Sequence, residues 1–183
     1  VLSGHGLGMA FAVQALAEAL RRLPDLLTRP GAPRFALLGL GSQVLAVALH
    51  PAARRMRRDV ADLALTPGLV WVEQTLRGDA LTFGRADPVA MLGLPGRGPR
   101  IEVADPRDMV DRATWQRIRW QPLRRHWQYV LGNGRPHALD HGLMACGPLP
   151  AGGGMRADRV LGRDGAIIPA AENAGVPAAE NAG

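Results

Sequence analysis

The first eight residues constrain the fold of this 183-residue chain more than any other segment. Val1-Leu2 is apolar and leads into a turn with glycine at positions 4, 6 and 8. From Met9 to Arg22, apolar side chains recur at helical spacing and polar side chains occupy the opposite face. This order predicts a buried strand that ends in a tight turn and passes directly into an amphipathic helix.

Later segments continue the alternation of strand and helix. Short apolar runs predict strands at Phe35 to Leu40, Leu69 to Glu73 and Arg100 to Val103. Helical spacing predicts helices from Ala52 to Leu65 and from Ala113 to Leu131. Strands that alternate with helices predict an α/β fold with a mostly parallel sheet.

The composition of the chain changes near Gly147, after which Pro and Gly dominate. The length suits one domain, which we assign to residues 1–150. Residues 151–183 are predicted to form a Gly/Pro/Ala-rich tail that is flexible from about residue 168. The tail ends in two copies of a six-residue repeat, Ala170 to Gly175 and Ala178 to Gly183, too few to build a solenoid.

Composition and charge restrict the function class. All 22 basic residues are arginine, and the net charge of +6 permits anionic partners without requiring them. Cys146 is the only cysteine, which excludes an intramolecular disulfide and a cysteine zinc site and fits a cytoplasmic location. The longest apolar run, Phe35 to Leu49, is shorter than the roughly 20 residues that cross a bilayer, so no transmembrane segment is predicted.

Three interpretations fit the glycine-rich turn. The glycines could simply permit a tight turn and close packing of helix on strand. A dinucleotide-binding turn requires G-x-G-x-x-G, but Met9 stands where the third glycine belongs, and we predict no cofactor. The nucleophile elbow, G-x-S-x-G, matches Gly4-His5-Gly6-Leu7-Gly8 in every position except the middle one.

On this motif the chain resembles the α/β-hydrolase superfamily, in particular lipase- and esterase-like proteins of GC-rich bacteria. The resemblance extends over roughly residues 1–150 and includes residues 35–40, the Trp71 strand and residues 85–89, 124–129 and 146–149. It implies a partial α/β-hydrolase-like layer, with a mostly parallel sheet, flanking helices and the early strands missing. It also implies hydrolysis of a small-molecule ester through an acyl-serine, without a cofactor.

The family's catalytic triad runs nucleophile, acid, histidine along the chain. Gly6 takes the nucleophile position, and the Leu7 amide would supply one oxyanion donor. In the family the second donor comes from a loop well upstream of the nucleophile, and with the early strands missing we expect this donor to be missing as well. Two sets of candidates remain for the other roles: Asp87 or, as the alternative, Asp79 for the acid, and His126 or, behind it, His137 and His141 for the base. Asp87 could equally start a turn, and His126 could equally be a packed helix residue.

Glycine at position 6 leaves the enzymatic status open. Because Gly6 has no side chain, and because Ser3 lies within the strand end, we expect the chain by itself to be an inactive relative of serine hydrolases. The rival hypothesis is a non-catalytic scaffold, in which an open sheet edge pairs with a partner protein or a second copy.

Two further site classes are disfavoured by the sequence. The cluster of His137, Asp140 and His141 does not supply three well-spaced ligands, so no metal site is predicted. Arginines and tryptophans alternate over residues 115–127, a pattern found in nucleic-acid-binding proteins, but neighbouring aspartates dilute the charge. We interpret that segment as a solvated basic face and predict no nucleic-acid partner.

Overall fold

The computed structural model describes residues 1–32, 35–135, 137, 139–146, 159–161 and 167–169. Most of the predicted tail, both copies of its repeat and residues 147–149 of the resemblance lie outside these residues.

A four-stranded parallel sheet forms the centre of the fold. Its strands are β1 (Leu2–His5), β2 (Ala36–Leu40), β3 (Val70–Leu76) and β4 (Arg100–Ala104), arranged in the order β1-β2-β3-β4. Each strand pairs with the next in parallel. The prediction of an α/β fold with a parallel sheet is confirmed. A separate antiparallel pair is formed by β5 (Arg159–Leu161) and β6 (Ile167–Pro169).

Helices from the crossover connections cover one face of the sheet. These are α1 (Gly8–Arg22), α2 (Val44–Ala48), α3 (Arg54–Ala64) and α4 (Pro88–Met91). They lie together because successive parallel connections share one hand. The core on this face contains Met9, Leu37, Val60 and Trp71, all buried.

The chain after β4 covers the other face with α5 (Pro106–Met109), α6 (Arg112–Ile118), α7 (Pro122–Trp127) and α8 (His141–Cys146). Its core includes Leu38, Leu40, Tyr129 and Met144. The sheet is therefore enclosed between two helical layers.

The single helix predicted from Ala113 to Leu131 is wrong. Gln121, at the break between α6 and α7, has φ −111° and ψ 90°. The ring of Pro122 excludes the α conformation from the residue before it, so the chain must turn there. This break redirects α7 and brings His126 into the buried part of the structure.

The strands run parallel, so their carboxyl ends share one edge of the sheet. Gly6 follows β1, Gly41 follows β2, and Asp79 follows β3 after a short turn. This is the edge at which open α/β sheets bind ligands. None of the helices in the described ranges is long and apolar enough to cross a membrane.

Candidate functional site

The predicted strand–turn–helix at the start of the chain is present and sharply bent. Gly6 has φ 56°, in the left-handed region that favours glycine. Its N–H donates to the Leu40 carbonyl at 3.0 Å, and its carbonyl accepts from the N–H groups of Met9 and Gln43 at 3.3 and 3.1 Å. These bonds tie the turn to the carboxyl end of β2 and the loop after it.

Gly4 is required by close packing and not by its backbone angles. A Cβ on Gly4 would overlap the backbone of Met9 in the first turn of α1. Only a residue without a side chain lets the helix begin so close to the strand.

A buried histidine–carboxylate pair lies beside this turn. His126 Nδ1 is 2.8 Å from Asp79 Oδ2, and the two side chains are 9% and 1% exposed. Asp79 Oδ1 accepts from the Leu81 N–H at 3.0 Å, which fixes the carboxylate within its loop. With the carboxylate accepting, Nδ1 carries the hydrogen and Nε2 presents a lone pair.

His126 Nε2 lies beside the turn at Gly6. An ideal Cβ built on Gly6 would lie 3.3 Å from His126 Nε2, and no other heavy atom outside the neighbouring residues lies within 4 Å of it. A hydroxyl attached there would be within hydrogen-bond reach of a base that a carboxylate holds in one tautomer. The arrangement thus places a histidine–carboxylate pair beside the backbone of residue 6.

His5 holds the backbone of His126 in place. Its Nε2 donates to the His126 carbonyl at 3.2 Å, and the two rings lie 4.5 Å apart. Burial lowers the pKa of His5, while the hydrogen bond to the His126 carbonyl opposes that shift. His5 is therefore a positioning residue, a role that the sequence did not predict.

Arg125 fixes the loop that carries Asp79. Its Nη2 donates to the Gly78 carbonyl and, at 3.3 Å, to the Arg77 carbonyl. Gly78 has φ 72°, and a Cβ there would lie 2.7 Å from Arg125 Nη2. Arg125 thus binds the backbone of Gly78, and the next residue, His126, binds the carboxylate of Asp79.

Tyr129 holds the same edge of the sheet and lies in the same layer as Arg125 and His126. Its hydroxyl accepts the Leu76 N–H at 2.7 Å at the end of β3. Its ring packs over Gly41, where any Cβ would overlap it. Burial, with a smaller contribution from the Asp79 charge, raises the pKa of Tyr129 well above its usual range, so the hydroxyl stays neutral.

Asp87, the leading acid candidate, is not paired with His126. Its Oδ1 accepts from the Val89 and Ala90 N–H groups at 2.8 and 3.3 Å, which makes it the N-cap of α4. Asp79, the alternative candidate, makes the contact with His126 that the sequence predicts for Asp87. The correction has a local cause: an aspartate before a proline that begins a helix is a typical N-cap.

The remaining candidates lie apart from the His126–Asp79 pair or at its rim. His137 is buried, and its Nδ1 accepts from the Leu139 N–H at 3.1 Å; burial lowers its pKa. His141 begins α8. Leu7, the predicted oxyanion donor, precedes α1, and its side chain is exposed. Within the described ranges, no group of three or more His, Cys, Asp or Glu side chains could hold a metal ion.

A second buried carboxyl, Glu73, lies in the middle of β3. Its Oε1 accepts from Trp71 Nε1 at 3.1 Å, and its carboxyl group fills the place where Gly39 on β2 lacks a side chain. Among the described residues Oε2 has no hydrogen-bond partner. Burial raises the pKa of Glu73 to about 8, against the opposing effects of Trp71 and Ser42. Glu73 is therefore a largely protonated acid at neutral pH.

Comparison with protein-family models, curated proteins and solved structures found no match to this chain. Its function must therefore be argued from the residues at this edge of the sheet.

Proposed function

We propose that this chain is an α/β-hydrolase-like protein, similar to a lipase or esterase, in which the catalytic nucleophile is absent. The observation that carries the proposal is the position of the His126 ring, with Nδ1 on Asp79 and Nε2 facing Gly6. The chain order of nucleophile position, acid and histidine supports it, since that order is characteristic of the superfamily. The all-parallel sheet between helical layers supports it further.

The ester chemistry of such a site depends on a hydroxyl at position 6. In the family reaction, the hydroxyl oxygen attacks the ester carbonyl carbon while histidine Nε2 accepts its proton. The carboxylate stabilises the resulting imidazolium, and backbone amides stabilise the tetrahedral oxyanion. Nε2 then gives the proton to the leaving alcohol, and water hydrolyses the acyl-enzyme by the same route.

Gly6 cannot take the first of these steps, so we propose that the chain does not hydrolyse esters through an acyl-enzyme. The His126–Asp79 pair is kept without a group whose proton it could accept. This half of the proposal is tested on the unmodified protein with a short p-nitrophenyl ester. Turnover that His126→Ala abolishes would overturn it.

The substitution Gly6→Ser tests the geometry. We expect the protein with this substitution to react with a fluorophosphonate and to gain one covalent adduct by intact mass. The left-handed conformation costs a non-glycine residue about 1–2 kcal/mol, so far-UV circular dichroism must first show that the variant is folded. Gly8→Ser is the matched control, because it adds a serine two residues away whose Cβ would meet nothing within 4 Å, His126 included.

The second-site variants identify the acid. In the Gly6→Ser background, Asp79→Asn is expected to slow labelling by about 10²-fold or more, since the imidazole then loses its tautomer and its charge partner. Asp87→Asn is expected to leave the labelling rate unchanged. A folded Gly6→Ser variant that labels no faster than Gly8→Ser contradicts the proposal, and a rate that depends on Asp87 and not on Asp79 contradicts the assignment.

The second candidate function is a scaffold that pairs with another chain, and the position of β1 favours it. Within the described sheet β1 is an edge strand that pairs only with β2. Edge strands offer unpaired backbone groups to a partner strand, from another protein or from a second copy. Light scattering at high protein concentration tests self-association, and co-purification tests a partner. A clean monomer that captures no partner counts against this function.

A further inference from the structure

A groove with a volume of about 360 Å³ lies between the turn after β3 and the helices α5 to α7. It belongs to the same edge of the sheet as the His126–Asp79 pair but is lined by different side chains. Its charged lining consists of four arginines and one carboxylate: Arg77, Arg107, Arg119, Arg125 and Asp105.

The single carboxylate of the groove is already engaged. Asp105 Oδ1 accepts from Arg107 Nε at 2.9 Å and from the Arg107 N–H at 3.0 Å, and Oδ2 pairs with Arg107 Nη2. Arg77 Nε lies farther away, 3.7 Å from Asp105 Oδ2. The groove therefore keeps a large excess of positive charge, carried by Arg77, Arg119 and Arg125.

Arg125 holds part of this charge in a fixed position. It donates to the carbonyls of Arg77, Gly78 and Arg119, which join the two walls of the groove. Within the described residues, its buried Nε–H has no hydrogen-bond partner. A guanidinium that is anchored by backbone carbonyls adds a positive charge of fixed position to the groove, which suits an anionic ligand.

Two tryptophans complete the groove. The Arg125 guanidinium lies 5.9 Å from the centre of the Trp115 ring, and that of Arg119 lies 5.3 Å from the centre of the Trp120 ring. Trp120 is 80% exposed, an unusual position for so large an apolar side chain. An exposed indole beside an arginine provides a face on which a planar ring can stack.

We propose that this groove is a binding site for a small organic phosphate monoester with an aromatic ring. A phosphate monoester carries close to two negative charges and three acceptor oxygens, which suits several converging guanidinium groups better than a single carboxylate does. The ring stacks on the exposed indole of Trp120. This proposal does not depend on the hydrolase-like function, because no lining residue is a member of the His126–Asp79 pair.

A second arginine-lined groove lies on the opposite side of the fold and has a different lining. It contains Arg21, Arg54, Arg55 and Arg58, but Glu18 and Asp59 line it as well. Arg21 pairs with Asp59 at 2.9 Å, and Arg55 pairs with Glu18 at 3.8 Å. Two carboxylates there offset part of the charge of the four arginines, and among the described residues no aromatic side chain lines that groove, so it serves as the internal control.

The test is isothermal titration calorimetry of the full chain at low salt with phenyl phosphate, inorganic phosphate and phenol. We expect phenyl phosphate to bind at least about tenfold more tightly than either fragment, because charge and stacking both contribute. Arg119→Ala and Arg77→Ala are each expected to weaken phenyl phosphate about tenfold, as loss of a charged hydrogen bond does. Arg58→Ala, in the second groove, should leave the affinity unchanged.

Trp120→Ala separates the ring from the phosphate. It should weaken phenyl phosphate and leave inorganic phosphate unaffected. The proposal is overturned if phenyl phosphate shows no saturable binding, if it binds no better than inorganic phosphate, or if Arg58→Ala weakens it as much as Arg119→Ala. Tighter binding of a short single-stranded oligonucleotide than of phenyl phosphate would also overturn it, in favour of a nucleic-acid surface.

Discussion

Glu73 makes the stability of this protein depend on pH in an unusual direction. The pKa of Glu73 is raised from 4.5 to about 8 by burial. The folded protein therefore binds a proton that the unfolded chain releases between these two values. Its contribution to stability is complete below pH 4.5 and is lost as the pH rises through the folded pKa. The perturbation that removes this effect is Glu73→Gln, which keeps the shape of the protonated acid and cannot titrate.

The magnitude follows from the shift. Each pH unit inside the window changes the free energy of unfolding of the wild type by about 1.4 kcal/mol relative to a group that does not titrate. From about pH 5 to about pH 7.5, the stability of Glu73→Gln relative to the wild type should therefore increase by about 3 kcal/mol. Contributions from His5 and His137 cancel in this difference, since both proteins contain them.

Urea denaturation followed by far-UV circular dichroism, at several pH values across this window, measures the difference curve. Glu18→Gln is the matched control: the Glu18 side chain is 38% exposed, and hydrogen bonds from Arg22 and Arg21 lower its pKa. Its difference curve should be flat above about pH 5. A flat difference curve for Glu73→Gln, or one in which the variant loses relative stability as the pH rises, would show that the pKa of Glu73 is not raised in the folded protein.

Three further substitutions test individual contacts by the same denaturation assay. Gly39→Ala should destabilise the fold by about 1–3 kcal/mol, because its Cβ overlaps the Glu73 carboxyl group, and Glu73→Ala should reduce that cost; purely additive effects would show that the two do not compete. Tyr129→Phe should cost about 1–3 kcal/mol, because the buried Leu76 N–H loses its acceptor; an unchanged urea midpoint would contradict the contact. Asp87→Ala should cost about 1 kcal/mol as a lost helix cap, and a much larger loss would point to a role beyond capping.

The sequence predicted the main strands and the first two long helices within a few residues, because the apolar side chains there repeat with the period of one element. It missed α2, α4 and α5, which have only four or five residues each and are too short to show a period. It merged α6 and α7 because their apolar spacing continues across Pro122, although that proline prevents one continuous helix.

The sequence favoured Asp87 over Asp79 as the partner of His126, whereas Asp79 makes that contact. The predicted strand stops at Glu73 and is bounded by the turn at residues 77–79, whereas the strand continues to Leu76. Gln74 is buried by a contact with Met144, 70 residues away, and no local pattern reveals it. The contact of Asp79 with His126 joins residues 47 positions apart in the chain, so no local pattern could rank Asp79 above Asp87.

The tautomer of His126 is the decisive observable, because the proposed function requires Asp79 to hold this ring with Nε2 facing the turn at Gly6. Long-range ¹H–¹⁵N correlation spectra of the neutral imidazole distinguish the two nitrogens. We predict a proton on Nδ1, at low field and lost or shifted in Asp79→Asn, and a lone pair on Nε2. A proton on Nε2, or an Nδ1 signal that Asp79→Asn leaves unchanged, would contradict the account.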